Sequence, residues 1–230
     1  MDKENYYEQF YRVLEETLLE EVRPKMGLSL SGGLDTRVIA ATLTKNNVRV
    51  PVLTSPRYKI EALIASMVAH KLGLDLYYFP YNNGDLANFG LEYMLMGTGF
   101  DELCGSWRGI YAKNYSEFKE AQRKHVEPLM VYINHRNRFT EVKYIEPFIS
   151  SKVVTVFNSI PWQYVKGKQI QRWILKTKFS ILWKIPYYNS LLPNPFPIEL
   201  HMLVNKLHKV TWRALLGHIP LKEAVKVYGK

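Results

Sequence analysis

A short apolar run, Met26-Gly27-Leu28-Ser29-Leu30, passes through Ser31-Gly32-Gly33 into Leu34-Asp35-Thr36-Arg37 and then into Val38-Ile39-Ala40-Ala41-Thr42-Leu43. No other stretch limits the fold as strongly. The pattern suits a buried strand that turns directly into a packed helix. Such a turn leaves the first amide groups of the helix without intrahelical acceptors and aims the positive end of its dipole at one spot. Phosphate binds at spots of this kind. Glycines at 32 and 33 let the backbone approach an anion with no Cβ in the way. Asp35 repels a bare phosphate, but it fits where a Mg²⁺ ion stands between the two. Neither a Gly-Lys-Ser/Thr string nor GxGxxG is present, so the two commonest phosphate-loop patterns are excluded. An ordinary glycine-rich strand-to-helix turn is the alternative reading.

The chain has 230 residues, enough for one sizeable core and a small appended subdomain. With 47% hydrophobic and 23% charged residues it has a globular rather than a disordered composition. No apolar run reaches the roughly 18–20 residues needed to span a bilayer, and Met1-Asp2-Lys3-Glu4-Asn5 is too polar for a signal peptide. Cys104 is the single cysteine, which excludes an internal disulfide and a cysteine-cluster zinc site. A cytoplasmic protein without membrane contact is the expectation. The net charge of +10 suits an anionic partner such as ATP, pyrophosphate or RNA, and is also common in basic proteins with no nucleic-acid role.

Helix periodicity covers Asp2–Val22, where Phe10, Val13, Leu14, Thr17, Leu18 and Val22 share a face. Val48–Thr54 reads as a second strand, and Ile60–Leu72 as a helix closed by Gly73. Asp75–Phe79 reads as a third strand, Asn82–Asp85 as a turn and Leu91–Met96 as a fourth strand. Strands alternating with helices predict an α/β fold with a parallel sheet and helices on both faces. In such sheets ligands bind at the carboxyl ends of strands, where residues 31–36 fall. The rest reads as mostly helical: Ser116–Arg136 with Pro128 kinking or splitting it, Val153–Ile160, Gln169–Leu182, Ile198–Leu216 and Leu221–Tyr228, with Leu192–Pro197 as a rigid connector. The expected organisation is an α/β core over residues 1–110 and a helical C-terminal part over 111–230, packed as one continuous domain.

The second chemical landmark is Gly97-Thr98-Gly99-Phe100-Asp101-Glu102-Leu103-Cys104-Gly105, a glycine-rich turn with adjacent acids. Asp101 or Glu102 placed near Asp35 makes a Mg²⁺ site facing a triphosphate. The alternative is a helix cap, with Asp101 capping a helix that begins at Glu102. Lys166, Lys168, Arg172, Lys176 and Lys178 form a basic stripe, read as a solvated face or as an RNA-contacting surface. The six histidines lack metal-binding spacing, and no Ser- or Cys-nucleophile motif occurs.

Ser31-Gly32-Gly33-Leu34-Asp35-Thr36 resembles the pyrophosphate loop of the ATP pyrophosphatases, SGGxDS, with Thr36 keeping the hydroxyl. The landmarks taken in order extend that likeness. The helix before the loop is followed by the loop itself and then by Gly97–Gly105. Next come Glu146-Pro147-Phe148-Ile149 and a helix ending at Ile160-Pro161, and last Arg172-Trp173-Ile174-Leu175-Lys176. Together they resemble the synthetase domain of the asparagine synthetase family over roughly residues 10–180. That family's strings are SGGLDSS, GDGGDELFGG, Pro-Phe-Leu-Asp, a helix-ending Leu-Pro and Lys-x-Ile-Leu-Arg.

The resemblance implies an adenine nucleotide alpha hydrolase-like fold and an AMP-forming carbon–nitrogen ligase. ATP and Mg²⁺ are the implied cofactors. A small carboxylate substrate would be adenylated and then attacked by ammonia or an amine. Ser31, Gly32, Gly33, Leu34, Asp35, Thr36, Leu53 and Gly97 are the implied nucleotide-binding residues. Asp35 and Asp101 are the implied metal ligands, and Asp35, Asp101 and Lys143 the implied catalytic residues.

The departures fall on the acceptor side. Thr98 stands where the family has the first Asp of GDGGDE. Lys143 and Ile145 occupy the places of a family Glu and Arg, and Ser150 the place of the Asp of Pro-Phe-Leu-Asp. Glu146 lies too close to Pro147 to correspond to the family Glu. The family's Arg-x-Lys-Glu stretch is replaced by Asn194-Pro195-Phe196-Pro197. Met1 is not followed by a nucleophilic cysteine, so the amine is expected from free ammonia, the substrate or an amine-supplying partner chain. Two alternatives stand beside the ligase: a tRNA-modifying ATP pyrophosphatase, and a degenerate nucleotide-binding subunit without turnover.

Overall fold

The computed structural model describes residues 2–56, 59–79, 83–105 and 112–186. Its strands and helices alternate, giving an α/β protein in which every strand pair within a unit is parallel. Two compact units are present: one comprises Met1–Met26 and Asn83–Ile174, the other Gly27–Asn82 and Leu175–Lys230.

The unit containing the glycine loop carries β1 (Met26–Ser29, from Gly27 onward), α2 (Leu34–Lys45), β2 (Val52–Thr54), α3 (Lys59–Leu72) and β3 (Leu76–Tyr78). β2 lies between β1 and β3, with Ser29 opposite Leu53 and Leu53 opposite Tyr77. All four residues of β1 are buried, as expected of a strand covered on both faces. Val48–Val50 do not join the ladder. β2 begins only after Pro51, whose carbonyl accepts from Leu28 N at 2.9 Å although its own nitrogen cannot donate. α3 ends as its sequence dictates: Gly73 turns left-handed at φ +62°, and Leu74 N reaches Ala69 O at 2.9 Å.

The other unit carries α1 (Lys3–Glu20), α4 (Asn83–Asn88), β4 (Tyr93–Leu95), α5 (Phe100–Leu103), α6 (Tyr115–Phe139), β5 (Lys143–Ile145), α7 (Ser151–Ser159), α8 (Trp162–Val165) and the first residues of α9 (Gln169–Thr177). Asp2 caps α1 by accepting from Asn5 N at 2.8 Å. Four phenylalanines from four elements build the core. Phe100 stacks on Phe148 at 4.9 Å, Phe10 at 5.3 Å and Phe157 at 5.8 Å, and all four are essentially inaccessible.

Several sequence expectations need correction. Asn83–Asn88 is a short helix rather than a turn. α6 runs through Pro128 without splitting; Pro128 is exposed, so the carbonyl it leaves unpaired can be hydrated. The expected helix over 169–182 is two helices, α9 and α10 (Ser180–Trp183), because Phe179 takes a non-helical conformation between them. β5 was not expected, since three residues are too few to show alternation. Its neighbour β4 pairs with it in parallel, Leu95 opposite Ile145. On the other side Asn137 satisfies Tyr144, donating to its carbonyl and accepting from its amide, each at 2.9 Å. A side-chain amide thus replaces a further strand and blocks that edge. The expected connector 192–197 and helices 198–216 and 221–228 lie outside the described residues. Among the described residues no helix is long and apolar enough to cross a membrane.

Candidate functional site

The sequence-derived loop lies at the carboxyl end of β1 and closes on itself. Ser31 N donates to Thr36 Oγ1 at 3.1 Å, and the Ser31 and Thr36 hydroxyls meet at 3.1 Å. Gly33 N donates to Ser31 Oγ at 3.1 Å. Thr36 therefore fixes the loop with its hydroxyl. α2 begins after Gly33 with no side-chain cap, so its first turn offers backbone donors at the strand's carboxyl end. Asp35 lies in that turn and is half-buried.

Gly32 and Gly33 are both buried, yet neither takes a left-handed conformation, and Gly33 sits at φ −77°, where any residue can go. Backbone geometry does not demand glycine here.

The fully buried Arg37, one turn into α2, donates to Gly32 O at 3.3 Å. The same guanidinium donates to Ile185 O and Pro186 O, each at 2.9 Å, and to Leu182 O at 3.4 Å. It ties the loop to the segment after α10. Leu53 is fully buried in β2, and its carbonyl accepts from Leu30 N at 2.8 Å, so it shapes the floor beneath the loop.

The acidic turn belongs to the other unit and has a different internal logic. Gly99 takes φ +106°, and a Cβ there would stand 2.5 Å from Ile149 Cγ2, so glycine is required by conformation and by packing. α5 begins at Phe100, two residues earlier than the start expected at Glu102. The capping carboxylate is Glu102, which accepts from Gly99 N at 3.0 Å; Asp101 does not cap the helix. Asp101 instead pairs with Lys168 at 2.5 Å. Gln122 of α6 closes the end of α5 by donating to Leu103 O at 2.9 Å. Gly97 is partly exposed just beyond β4.

Lys143 is exposed at the start of β5, and its ammonium donates to Asn137 O at 2.7 Å and Thr140 O at 2.8 Å. It interacts with the carbonyl end of α6, a favourable place for a cation. Ser150, at the position of the family's Asp, caps α7 by accepting from Val153 N at 3.4 Å. Two members of the basic stripe face inward: Lys168 toward Asp101, and Lys166 toward Ala112 O and the Trp162 ring. Lys176 and Lys178 are exposed.

Glu146, which sequence reasoning set aside, is the most perturbed carboxyl among the described residues of this unit. It follows β5 at the same end from which the 97–99 turn leaves β4. Arg136 Nη2 reaches its Oε1 at 2.6 Å, and the guanidinium carbon of the same side chain lies 3.7 Å from the Tyr144 ring centre. Burial raises the Glu146 pKa to about 7, against the opposing pull of Arg136 and then of Thr98, while Glu102 adds a small push upward. Thr98 stands near enough to favour the charged form, but Oε2 has no partner in hydrogen-bond geometry, nor has Arg136 Nε. The sequence signal was an acid inside the apolar run Tyr144–Ile149.

The loop fits a bound phosphate chain: uncapped amides, two buried glycines and one acid in the first turn. Among the described residues no group of three His, Cys, Asp or Glu side chains could hold a metal ion unaided. A Mg²⁺ ion at Asp35 would take its other ligands from phosphate oxygens and water, its usual arrangement with nucleotides. No protein-family model matches the chain, and no curated protein sequence matches it.

Proposed function

We propose that the chain is an ATP- and Mg²⁺-dependent, AMP- and pyrophosphate-forming ligase that activates a carboxylate for attack by ammonia or an amine. One observation carries this reading: the self-closed Ser31–Thr36 loop at the carboxyl end of a parallel strand, opening into an uncapped helix with Asp35 in its first turn. Mg-ATP supplies the adenylyl group and the pyrophosphate leaving group. The chain's own part is positional and electrostatic. The amides of the α2 first turn face the departing charge, and Thr36 and Arg37 hold the loop that carries them. Asp35 is the residue of this loop suited to a metal ion. The test is release of pyrophosphate from Mg-ATP by purified protein given a panel of amino acids with ammonia. Release that depends on one carboxylate supports the ligase; no release with any of them removes it.

A nucleotide-binding subunit without turnover is the second reading, and specific observations favour it. Asp101 is neutralised by Lys168, and Lys143 is bound to helix carbonyls. Calorimetry separates the two readings, since this one requires ATP binding without pyrophosphate release.

A further inference from the structure

The excess positive charge of the chain is confined to one part of the sequence. Residues 1–146 carry 18 Lys and Arg against 19 Asp and Glu, whereas residues 147–230 carry 13 against 2. Between Glu146 and Glu199 stand seven basic residues and no acid. An ordinary solvated surface intersperses both signs, so an acid-free basic run of this length suits an anionic partner. The fold divides the seven by what they touch. Lys152 pairs with Glu20 and Lys168 with Asp101, while Lys166 turns to Ala112 O and the Trp162 ring. Arg172 is half-buried. The other three, Lys176, Lys178 and Lys184, are exposed and fall within nine consecutive residues.

The segment that bears these three lysines is anchored. Phe179, Leu182 and Ile185 are buried, and the Arg37 guanidinium donates to the carbonyls of Leu182, Ile185 and Pro186 on either side of Lys184. The lysines therefore stand on a fixed backbone, and less order is lost when a partner binds. Ile181, 56% exposed, lies three residues before Lys184, which continues the helical conformation of α10, so the two share a side. We propose that residues 176–184 form a binding surface for single-stranded nucleic acid, with Lys176, Lys178 and Lys184 on its phosphates and Ile181 against an unpaired base. A duplex is read by an element laid into its major groove, and α10 has only four residues to offer. A single strand presents bases and phosphates together, which matches an apolar side chain set among lysines. One exposed isoleucine gives too little apolar area to hold a lipid surface.

Fluorescence anisotropy of a labelled oligouridylate with the full chain tests this. Binding is expected at low salt, weakening steeply between about 50 and 200 mM NaCl. Lys176→Gln with Lys184→Gln should make the plot of log affinity against log salt shallower by about 1.4, the share of two phosphate contacts on a single strand. Lys113→Gln with Arg138→Gln removes the same charge from exposed positions of the other unit and should leave that slope unchanged. Ile181→Ser should lower affinity several-fold without altering the slope. All five side chains are exposed, and unchanged circular dichroism keeps folding out of the comparison. A wild-type chain that does not bind at low salt overturns the proposal, as do equal slope changes in the two double variants. A duplex of the same length bound as tightly, or an Ile181→Ser chain that binds like wild type, overturns the single-stranded form of the partner. Capture by phosphatidylserine vesicles through Lys176 and Lys184, without oligonucleotide binding, assigns the surface to a membrane and overturns the proposal too. No arm contains ATP, so the ligase reading stands or falls separately.

Discussion

Arg136 and Glu146 face each other at 2.6 Å with side chains 14% and 2% exposed, and the pair joins the end of the long helix α6 to the residue that follows β5. Burial dominates the pair: the carboxyl is held at about 7, above its ordinary value of 4.5, although a guanidinium touches it. Folded protein therefore binds a proton at Glu146 that unfolded chain releases between those two values. Stability from this group is complete below pH 4.5 and falls as pH rises to about 7, by on the order of 3 kcal/mol. Glu146→Gln cannot titrate, so the stability difference between wild type and variant should shift in the variant's favour from pH 5 to pH 8. Urea denaturation at both pH values measures it, and a shift in the opposite direction contradicts the burial argument.

Asp35→Asn addresses the loop. The amide keeps the size of the side chain but loses the negative charge a Mg²⁺ ion requires. Calorimetry should show Mg-ATP binding weakened by about tenfold or more, with the melting temperature nearly unchanged. Equal affinity in the variant counts against a metal role for Asp35.

Glycines in the two loops should respond in opposite ways. Gly99→Ala drives a Cβ to 2.5 Å from Ile149 at φ +106°, and we expect a loss of roughly 2–4 kcal/mol in chemical denaturation. Gly33 has an ordinary φ of −77°, so Gly33→Ala should lower stability by less than Gly99→Ala, about 1 kcal/mol as a weaker helix cap. Its main effect should be on nucleotide affinity, measured in the same calorimetric series as Asp35→Asn.

Arg37→Leu removes a buried guanidinium that donates to the carbonyls of Gly32, Leu182, Ile185 and Pro186. Several buried acceptors lose their donor together, so a destabilisation of about 3 kcal/mol or more is expected. Arg37→Lys keeps the charge but not the planar fork, and should recover only part of the loss. Recovery to wild-type melting temperature with lysine would show that the charge alone matters.

What the sequence determined by itself is local. The alternation of strands and helices, the Asp2 cap, the left-handed Gly73 stop and the Ser31–Thr36 turn after a buried strand each follow from residues a few places apart, whose steric and hydrogen-bonding preferences act over one turn of chain. The tertiary structure decided which charged groups meet. Lys168 takes Asp101 from 67 positions away, Arg37 reaches carbonyls 145–149 positions away, and Arg136 turns inward to an acid that no periodicity marks. It also decided β5, held by a partner strand and by Asn137 rather than by its own three residues. The reason is physical: a short element's conformation is set by its neighbours in the chain, whereas the cost of burying a charge is relieved only by whichever partner the fold brings within about 3 Å.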